Sequence, residues 1–238
     1  MTQETFTVAP AIDVLEGRCV RLRHGVREQV TVEGGDPGAA ARRFAGDGAR
    51  LLHLVDLDGA FAGYPTPGLV EAVAAASPVP VQVGGGLRTL AAIDAALAAG
   101  AARALVGTAA LSPGFIVEAA ERFGERVLVA IDARDGLVAT NGWTGTSELA
   151  APELARRCAE AGIRRLLVTN TRRDGSLEGP DLELLAAVIE ASGLPVLAAG
   201  GISSLDDLRA VRELGCEGAI AGSAIWLGRF TLAEALAI

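Results

Sequence analysis

Lysine is absent from this chain of 238 residues, so all 21 of its basic side chains are arginine. Without a side-chain amine that can shed its proton, Schiff-base catalysis by lysine is excluded. Histidine occurs only at His24 and His53, too sparsely for a His-rich metal site. The three cysteines, Cys19, Cys158 and Cys216, are odd in number, widely separated and in no C-x-x-C spacing. They form neither a disulfide framework nor a zinc site and are read as small buried hydrophobes. Tyrosine occurs once, as Tyr64. No apolar run reaches the roughly 18 residues that a membrane span requires, and Met1-Thr2-Gln3-Glu4 lacks the basic start of a signal peptide. A cytoplasmic protein with no membrane partner is expected. The net charge of -8 excludes a general nucleic-acid surface, which needs a basic face. Proton transfer therefore falls mainly to Asp, Glu or Cys.

What is present is a long internal repeat. Ala11-Ile12-Asp13-Val14-Leu15-Glu16-Gly17 is answered by Ala130-Ile131-Asp132-Ala133-Arg134-Asp135-Gly136, 119 residues on. Asp58-Gly59 answers to Asp174-Gly175 and Gly84-Gly85 to Gly200-Gly201 at an offset of 116, and Gly107-Thr108 to Gly222-Ser223 at 115. Solenoid repeats have periods of about 20 to 50 residues, so this is a duplicated half-domain. No linker composition interrupts the chain, and one domain over 1-238 is expected. Short apolar runs at 6–13, 51–56, 79–84, 104–107, 127–132, 165–169, 196–199 and 218–222 read as strands. Amphipathic stretches at 37–46, 66–76, 90–99, 113–123, 151–161, 181–191 and 205–214 read as helices, several with Ser, Thr or Asp caps. Eight strands alternating with helices predict an α/β fold, a (β/α)8 TIM barrel with its active site at the C-terminal strand ends. An open doubly wound sheet is the alternative, but the repeat favours closure.

Asp13 and Asp132 each end an apolar strand at equivalent places in the repeat. A carboxylate there is costly without partners, so two facing one mouth form a candidate acid/base pair; a duplicated structural turn is the rival reading. The turns at Gly85, Gly86, Gly107 and Thr108 and at Gly200, Gly201, Gly222 and Ser223 free backbone N–H groups to cradle two phosphates, so the expected substrate is a small molecule phosphorylated at both ends. Arg88 either pairs with the adjacent phosphate or is a solvated helix-start arginine. Thr169, Asp174 and Gly175 flank the end of the sixth strand, and Trp143, in the loop after the fifth, either covers a ligand or packs on the barrel. Arg21 and His24 are placed in the first strand-to-helix loop, within reach of substrate, whereas His53 is read as a strand residue with a local partner.

Seven segments together resemble the phosphoribosylformimino-aminoimidazole carboxamide ribotide isomerase family of histidine biosynthesis. They are Pro10-Ala11-Ile12-Asp13 with Gly17-Arg18-Cys19-Val20-Arg21-Leu22, His53-Leu54-Val55-Asp56-Leu57-Asp58-Gly59-Ala60, Gln82-Val83-Gly84-Gly85-Gly86-Leu87-Arg88, Val106-Gly107-Thr108-Ala109-Ala110, Ile131-Asp132-Ala133-Arg134-Asp135-Gly136, Gly142-Trp143, and Arg173-Asp174-Gly175-Ser176-Leu177-Glu178-Gly179-Pro180. The resemblance runs from Val8 to Leu236. It implies a ribulose-phosphate-binding barrel that performs a metal-free, cofactor-free Amadori rearrangement of an aminoaldose phosphate to an aminoketose. It also implies that Asp13 is the general base and Asp132 the general acid. A monomer is expected.

Related readings are the sister cyclase of the same fold and a non-catalytic phosphate-binding barrel, in which loss of one Asp would be expected. A further relative is the bifunctional actinobacterial isomerase, which also accepts phosphoribosyl anthranilate and is matched by Arg21 and Arg229-Phe230-Thr231-Leu232. That group carries Arg two residues before the loop Trp, where this chain has Asn141, so discrimination against anthranilate is expected. Asn170 and Arg172 depart from the commonest choices in the family.

Overall fold

A computed structural model describes residues 6–238, so the leader reading at residues 1–4 lies outside the described residues. The strands are β1 (Thr7–Leu15), β2 (Arg18–Leu22), β3 (Val30–Gly35), β4 (Leu52–Asp56), β5 (Val81–Gly84), β6 (Arg103–Val106), β7 (Val127–Arg134), β8 (Leu137–Thr140), β9 (Gly145–Ala150), β10 (Leu166–Asn170), β11 (Val196–Ala199) and β12 (Gly218–Ala221). Eight of them, β1, β4, β5, β6, β7, β10, β11 and β12, pair in parallel, and the β7–β10 pairing closes the ring. The chain is thus a (β/α)8 barrel, not an open sheet. Each expected strand lies within two residues of an observed one.

The four remaining strands extend the repeat. Past Asp13, β1 continues into an antiparallel hairpin with β2, which pairs with β3. Past Asp132, β7 does the same with β8 and β9. In the sequence these hairpins look like loops, because β2 and β8 are only five and four residues long and each follows a glycine turn. Arg21 accordingly lies on β2 rather than in a loop.

The helices are α1 (Pro37–Gly46), α2 (Leu57–Ala62), α3 (Leu69–Ala76), α4 (Leu90–Ala98), α5 (Pro113–Phe123), α6 (Ala151–Glu160), α7 (Leu182–Ser192), α8 (Leu205–Glu213), α9 (Ser223–Trp226) and α10 (Leu232–Leu236). Asp36, Thr89, Asp181 and Ser204 cap α1, α4, α7 and α8 through their side chains, each worth about 1 kcal/mol. Helix α3 begins at Leu69 rather than Thr66. The Asp56 carboxylate holds Thr66 through its N–H (2.6 Å) and hydroxyl (2.8 Å), so that residue belongs to the preceding turn.

Side-chain alternation separates two apolar layers. Val8, Ile12, Val129, Ile131, Leu166 and Val168 point outward and pack under the helices. Ala9, Ala11, Leu105, Leu128, Leu167, Leu197 and Ile220 fill the barrel interior. With a period of two, Asp13 follows Ala9 and Ala11 inward, and Asp132 follows Leu128 and Ala130. Each carboxylate therefore stands above an alanine, which leaves space at the mouth. Among the described residues no helix is long and apolar enough to cross a membrane.

The strand-end glycines are required by the backbone. Gly85 and Gly86 have φ of +111° and +71°, and Gly200 and Gly201 both have +84°. A Cβ on Gly85 would overlap the Asp56 carbonyl, and one on Gly201 the Gly179 carbonyl. These pairs, not Gly84-Gly85 and Gly200-Gly201, are equivalent, so the offset here is 115 rather than 116. It then equals that of Gly107 and Gly222, whose φ/ψ values of -102°/-102° and -105°/-98° nearly coincide. The Asp58-Gly59 echo is one of sequence only, since Gly59 lies within α2 while Gly175 sits in a turn with φ +70°. Gly85→Ala is expected to lose about 3 kcal/mol or more of unfolding free energy in urea. Gly114→Ala, in open space on α5 with ordinary backbone, should gain about 0.5–1 kcal/mol. Equal midpoints for the two variants would contradict this account.

Candidate active site

The C-terminal ends of the strands surround a cavity of about 220 Å³. Both candidate acids and all fourteen candidate binding residues line it. Its floor is the apolar interior layer, with Ala11, Ala130 and Ala199 providing depth between Leu105, Leu167 and Ile220.

Arg21 is the electrostatic centre. Its side chain is almost wholly buried, and Nη1 donates to Asp13 Oδ2 at 2.5 Å. Nε donates to Ser223 Oγ at 3.4 Å, and Nη2 lies 3.9 Å from Asp174 Oδ1. The guanidinium occupies the space where a Cβ on Gly222 would stand. Arg21 thus joins the second cradle to Asp13 and Asp174. The cradle is anchored from behind by Trp226, whose Nε1–H donates to the Ala11 carbonyl at 2.9 Å.

The two repeat carboxylates have different surroundings. Burial pushes the Asp13 carboxyl up to about 6; Arg21 opposes the rise and Asp174 adds to it. Its other oxygen, Oδ1, is buried with no hydrogen-bond partner in the protein. Burial also raises Asp132, opposed by hydrogen bonds from the Trp143 and Thr169 side chains. Arg21 pairs with Asp13, whereas no cation contributes to the shift of Asp132. Asp174 is raised by burial too, against the pull of Arg21 and His24.

Trp143 lies in the turn between β8 and β9 with φ +68°. Its ring fills the space beside Gly25 and lines the cavity, so the loops of the two half-barrels meet over the mouth. Arg134 fixes the turn by donating to the Trp143 carbonyl at 2.9 Å. Arg88 lines the cavity as well, but its Nη2 donates to the Ala60 carbonyl at 3.2 Å and its guanidinium lies against Gly63. It is neither a simple solvated helix-start arginine nor a side chain free of protein partners. Thr108 Oγ1 accepts from the Asn141 N–H at 3.0 Å, tying the first cradle to the Trp143 turn.

The structure also places the remaining residues singled out in the sequence. His24 does not line the cavity; its N–H donates to the Asp174 carbonyl at 3.0 Å. Asn141 is exposed and is not among the lining residues. Asn170 bridges Arg172 N–H (2.9 Å) and Asp181 Oδ2 (2.6 Å), and Arg172 grips Asp135 through two 2.6 Å contacts at the surface. Both act in loop structure. Conversely, His53 lines the cavity as well as having the local partner expected of it. Its inward position follows from the alternation of Leu51, His53 and Val55 along the strand.

Comparison with known proteins agrees with this geometry. Residues 7–231 match the sequence model of the family described as histidine biosynthesis protein. A protein of Moorella thermoacetica, named 1-(5-phosphoribosyl)-5-((5-phosphoribosylamino)methylideneamino)imidazole-4-carboxamide isomerase, is 50% identical over 236 residues, covering 97% of each chain. Proteins of the same name from Rhodospirillum rubrum and Chloroflexus aurantiacus are 49% and 46% identical, covering 96% and 97% of this chain and 97% of each relative. A barrel with paired carboxylates and duplicated glycine turns, matched over nearly its whole length, belongs to the histidine biosynthesis protein family.

Proposed function

We propose that this chain is the histidine-pathway isomerase that converts the N-linked aminoaldose of its bisphosphorylated ribotide substrate to the aminoketose. The observation that carries the assignment of roles is the unequal environment of the two repeat carboxylates. Asp13, held ionised by Arg21, is the general base, and Asp132, buried without a cation, is the general acid. Asp132 protonates the furanose ring oxygen, the C1–O bond breaks, and the nitrogen lone pair forms the C1=N iminium. Asp13 removes the C2 proton, and the C–H electron pair becomes the C1=C2 bond of an enaminol. Loss of the C2 hydroxyl proton and protonation at C1 then give the ketose.

The glycine turns support phosphate binding at both ends of the substrate: Gly85, Gly86, Arg88, Gly107 and Thr108 on one side, and Gly200, Gly201, Gly222 and Ser223 on the other. Arg21, Trp143, Thr169, Asp174 and Gly175 line the region between them. Binding energy from the phosphates holds the opened sugar near both carboxylates. The two arginines lining the cavity, Arg21 and Arg88, already have partners. An anthranilate carboxylate would therefore enter the cavity without an uncommitted cation, at a cost of several kcal/mol. This argument for confinement to the histidine substrate does not need Asn141.

Asp13→Asn and Asp132→Asn are each expected to retain the fold and lower kcat by about 10²- to 10⁴-fold in an assay with the aminoaldose ribotide; near-normal turnover by both would overturn the assignment. Removing either substrate phosphate should reduce kcat/KM by about 10²-fold or more, the equivalent of two charge-assisted hydrogen bonds. With phosphoribosyl anthranilate, kcat/KM should likewise be about 10²-fold or more lower.

The acid limb of the kcat/KM profile should fall as pH drops through about 6, as the Asp13 base becomes protonated. Arg21→Gln removes the charge that lowers the Asp13 pKa, so the limb should move to higher pH. An unmoved limb would dissociate it from Asp13.

A further inference from the structure

The two glycine cradles share their backbone geometry but are held in place differently. In the first, Thr108–Leu111 form a short 3-10 turn, and the Thr108 hydroxyl accepts from the Asn141 N–H. In the second, the corresponding residues form α9, Ser223–Trp226. The offset of 115 that aligns Gly107 with Gly222 sets Leu111 opposite Trp226. The second cradle therefore ends on a side chain that donates a hydrogen bond, where the first ends on one that cannot.

Trp226 is seated between α1 and β3. The Arg43 guanidinium carbon lies 4.5 Å from the centroid of its ring, and Phe44 meets the ring edge-on at 5.4 Å and 90°. Gly34 of β3 faces the same ring, and a Cβ there would collide with it. From this seat the indole Nε1–H donates to the Ala11 carbonyl at 2.9 Å.

The acceptor shows what the bond does. Parallel pairing of β1 with β12 ends at Pro10 with Ala221. Ala11 stands one position further, where the opposite chain leaves the ladder at Gly222 and turns into α9. The indole thus occupies a carbonyl that the next N–H of a continuing strand would take. Because that carbonyl is occupied, the N–H groups of the Gly222-Ser223 turn stay directed at the cavity that both residues line. Packing alone does not call for the bond, since Leu111 packs against the core at the equivalent place in the first half.

We propose that Trp226 is a positioning residue for the isomerase reaction: by holding the Ala11 carbonyl it fixes α9 against β1 and keeps the second cradle open for a substrate phosphate. The inference rests on the isomerase reading above, which supplies the phosphate. Without the indole N–H, the Ala11 carbonyl is met by a backbone N–H of the turn, and that donor is withdrawn from the phosphate.

Trp226→Phe keeps a ring for Arg43 and Phe44 and removes only the N–H donor. In the isomerase assay its kcat/KM for the ribotide should fall about tenfold, the equivalent of one lost hydrogen bond. The discriminating readout uses two substrate analogues, each lacking one phosphate. With one analogue the Phe variant should match the unaltered protein within about twofold, because the group that the second cradle holds is gone. With the other, the tenfold loss should persist. A general loosening of the fold would lower both by the same factor. Equal losses with the two analogues, or a kcat/KM for the ribotide within about twofold of the unaltered protein, overturns the proposal.

A second measurement needs no substitution at Trp226 and decides the matter if the Phe variant does not fold. The chain has two tryptophans, Trp143 and Trp226, so Trp143→Phe assigns the two indole N–H signals by NMR. On titration of the unaltered protein with inorganic phosphate, the Trp226 signal should shift as the ion binds. An unmoved Trp226 signal while phosphorus NMR reports bound phosphate, or no phosphate binding at all, overturns the proposal. Failure of the isomerase reading is distinguishable: the unaltered protein would then leave the ribotide unchanged, while the phosphate titration would still report on the link between Trp226 and the second cradle.

Discussion

The arrangement of the mouth depends on one buried guanidinium. Arg21 meets Asp13, Ser223 and Asp174 and packs against Gly222, so it links the first hairpin, the sixth barrel strand's loop and the second cradle. A buried charge persists only when its partners compensate the lost hydration. Glycine at 222 is one condition of that arrangement, because a Cβ would collide with the guanidinium. Arg21 also makes the two halves chemically unequal: it pairs with Asp13, whereas Asp132 receives hydrogen bonds from Trp143 and Thr169. Sequence symmetry in the carboxylates thus coexists with chemical asymmetry, the condition that opposite proton-transfer roles require.

The same division appears in the loops. In both halves a barrel strand runs past its carboxylate into an antiparallel hairpin. The first hairpin carries the buried arginine, and the turn of the second carries the tryptophan. Their meeting at Gly25 and Trp143 couples the halves over the cavity. The cradles remain closer to identical, as the matching dihedrals at Gly107 and Gly222 show. Under the proposed function, two similar phosphate groups call for similar cradles, while the reacting carbons between them call for two different proton-transfer groups.

Much of this was legible because local chemistry is written locally. Alternating apolar runs ended by Asp13 and Asp132 gave their inward direction, and repeated glycines marked the strand-end turns. The β2–β3 and β8–β9 hairpins were not legible, since short strands beside glycine turns look like loops until the preceding strand extends to pair with them. For that reason Arg21 looks like a loop residue in the sequence although it lies on β2. His24 and Asn141 neighbour the mouth along the chain, and positive φ values at both residues accompany turns that leave them off its lining.

The sequence by itself determined the eightfold alternation, the duplicated half-barrel, the absence of lysine chemistry and the pair of strand-end carboxylates. These follow from composition and from periods of a few residues, which the backbone geometry of strands and helices enforces without distant partners. Only the tertiary structure decided which carboxylate meets Arg21, that Arg88 already holds the Ala60 carbonyl, that Gly85 and Gly86 rather than Gly84 and Gly85 match the second half, and that His53 and Gln82 form a polar pair at the floor. These depend on groups that meet in space: Arg21 reaches Asp13, 8 residues away, through the hairpin and Ser223, 202 residues away, through barrel closure. Hydrogen bonding and desolvation act over a few ångströms in space, whatever the separation along the chain.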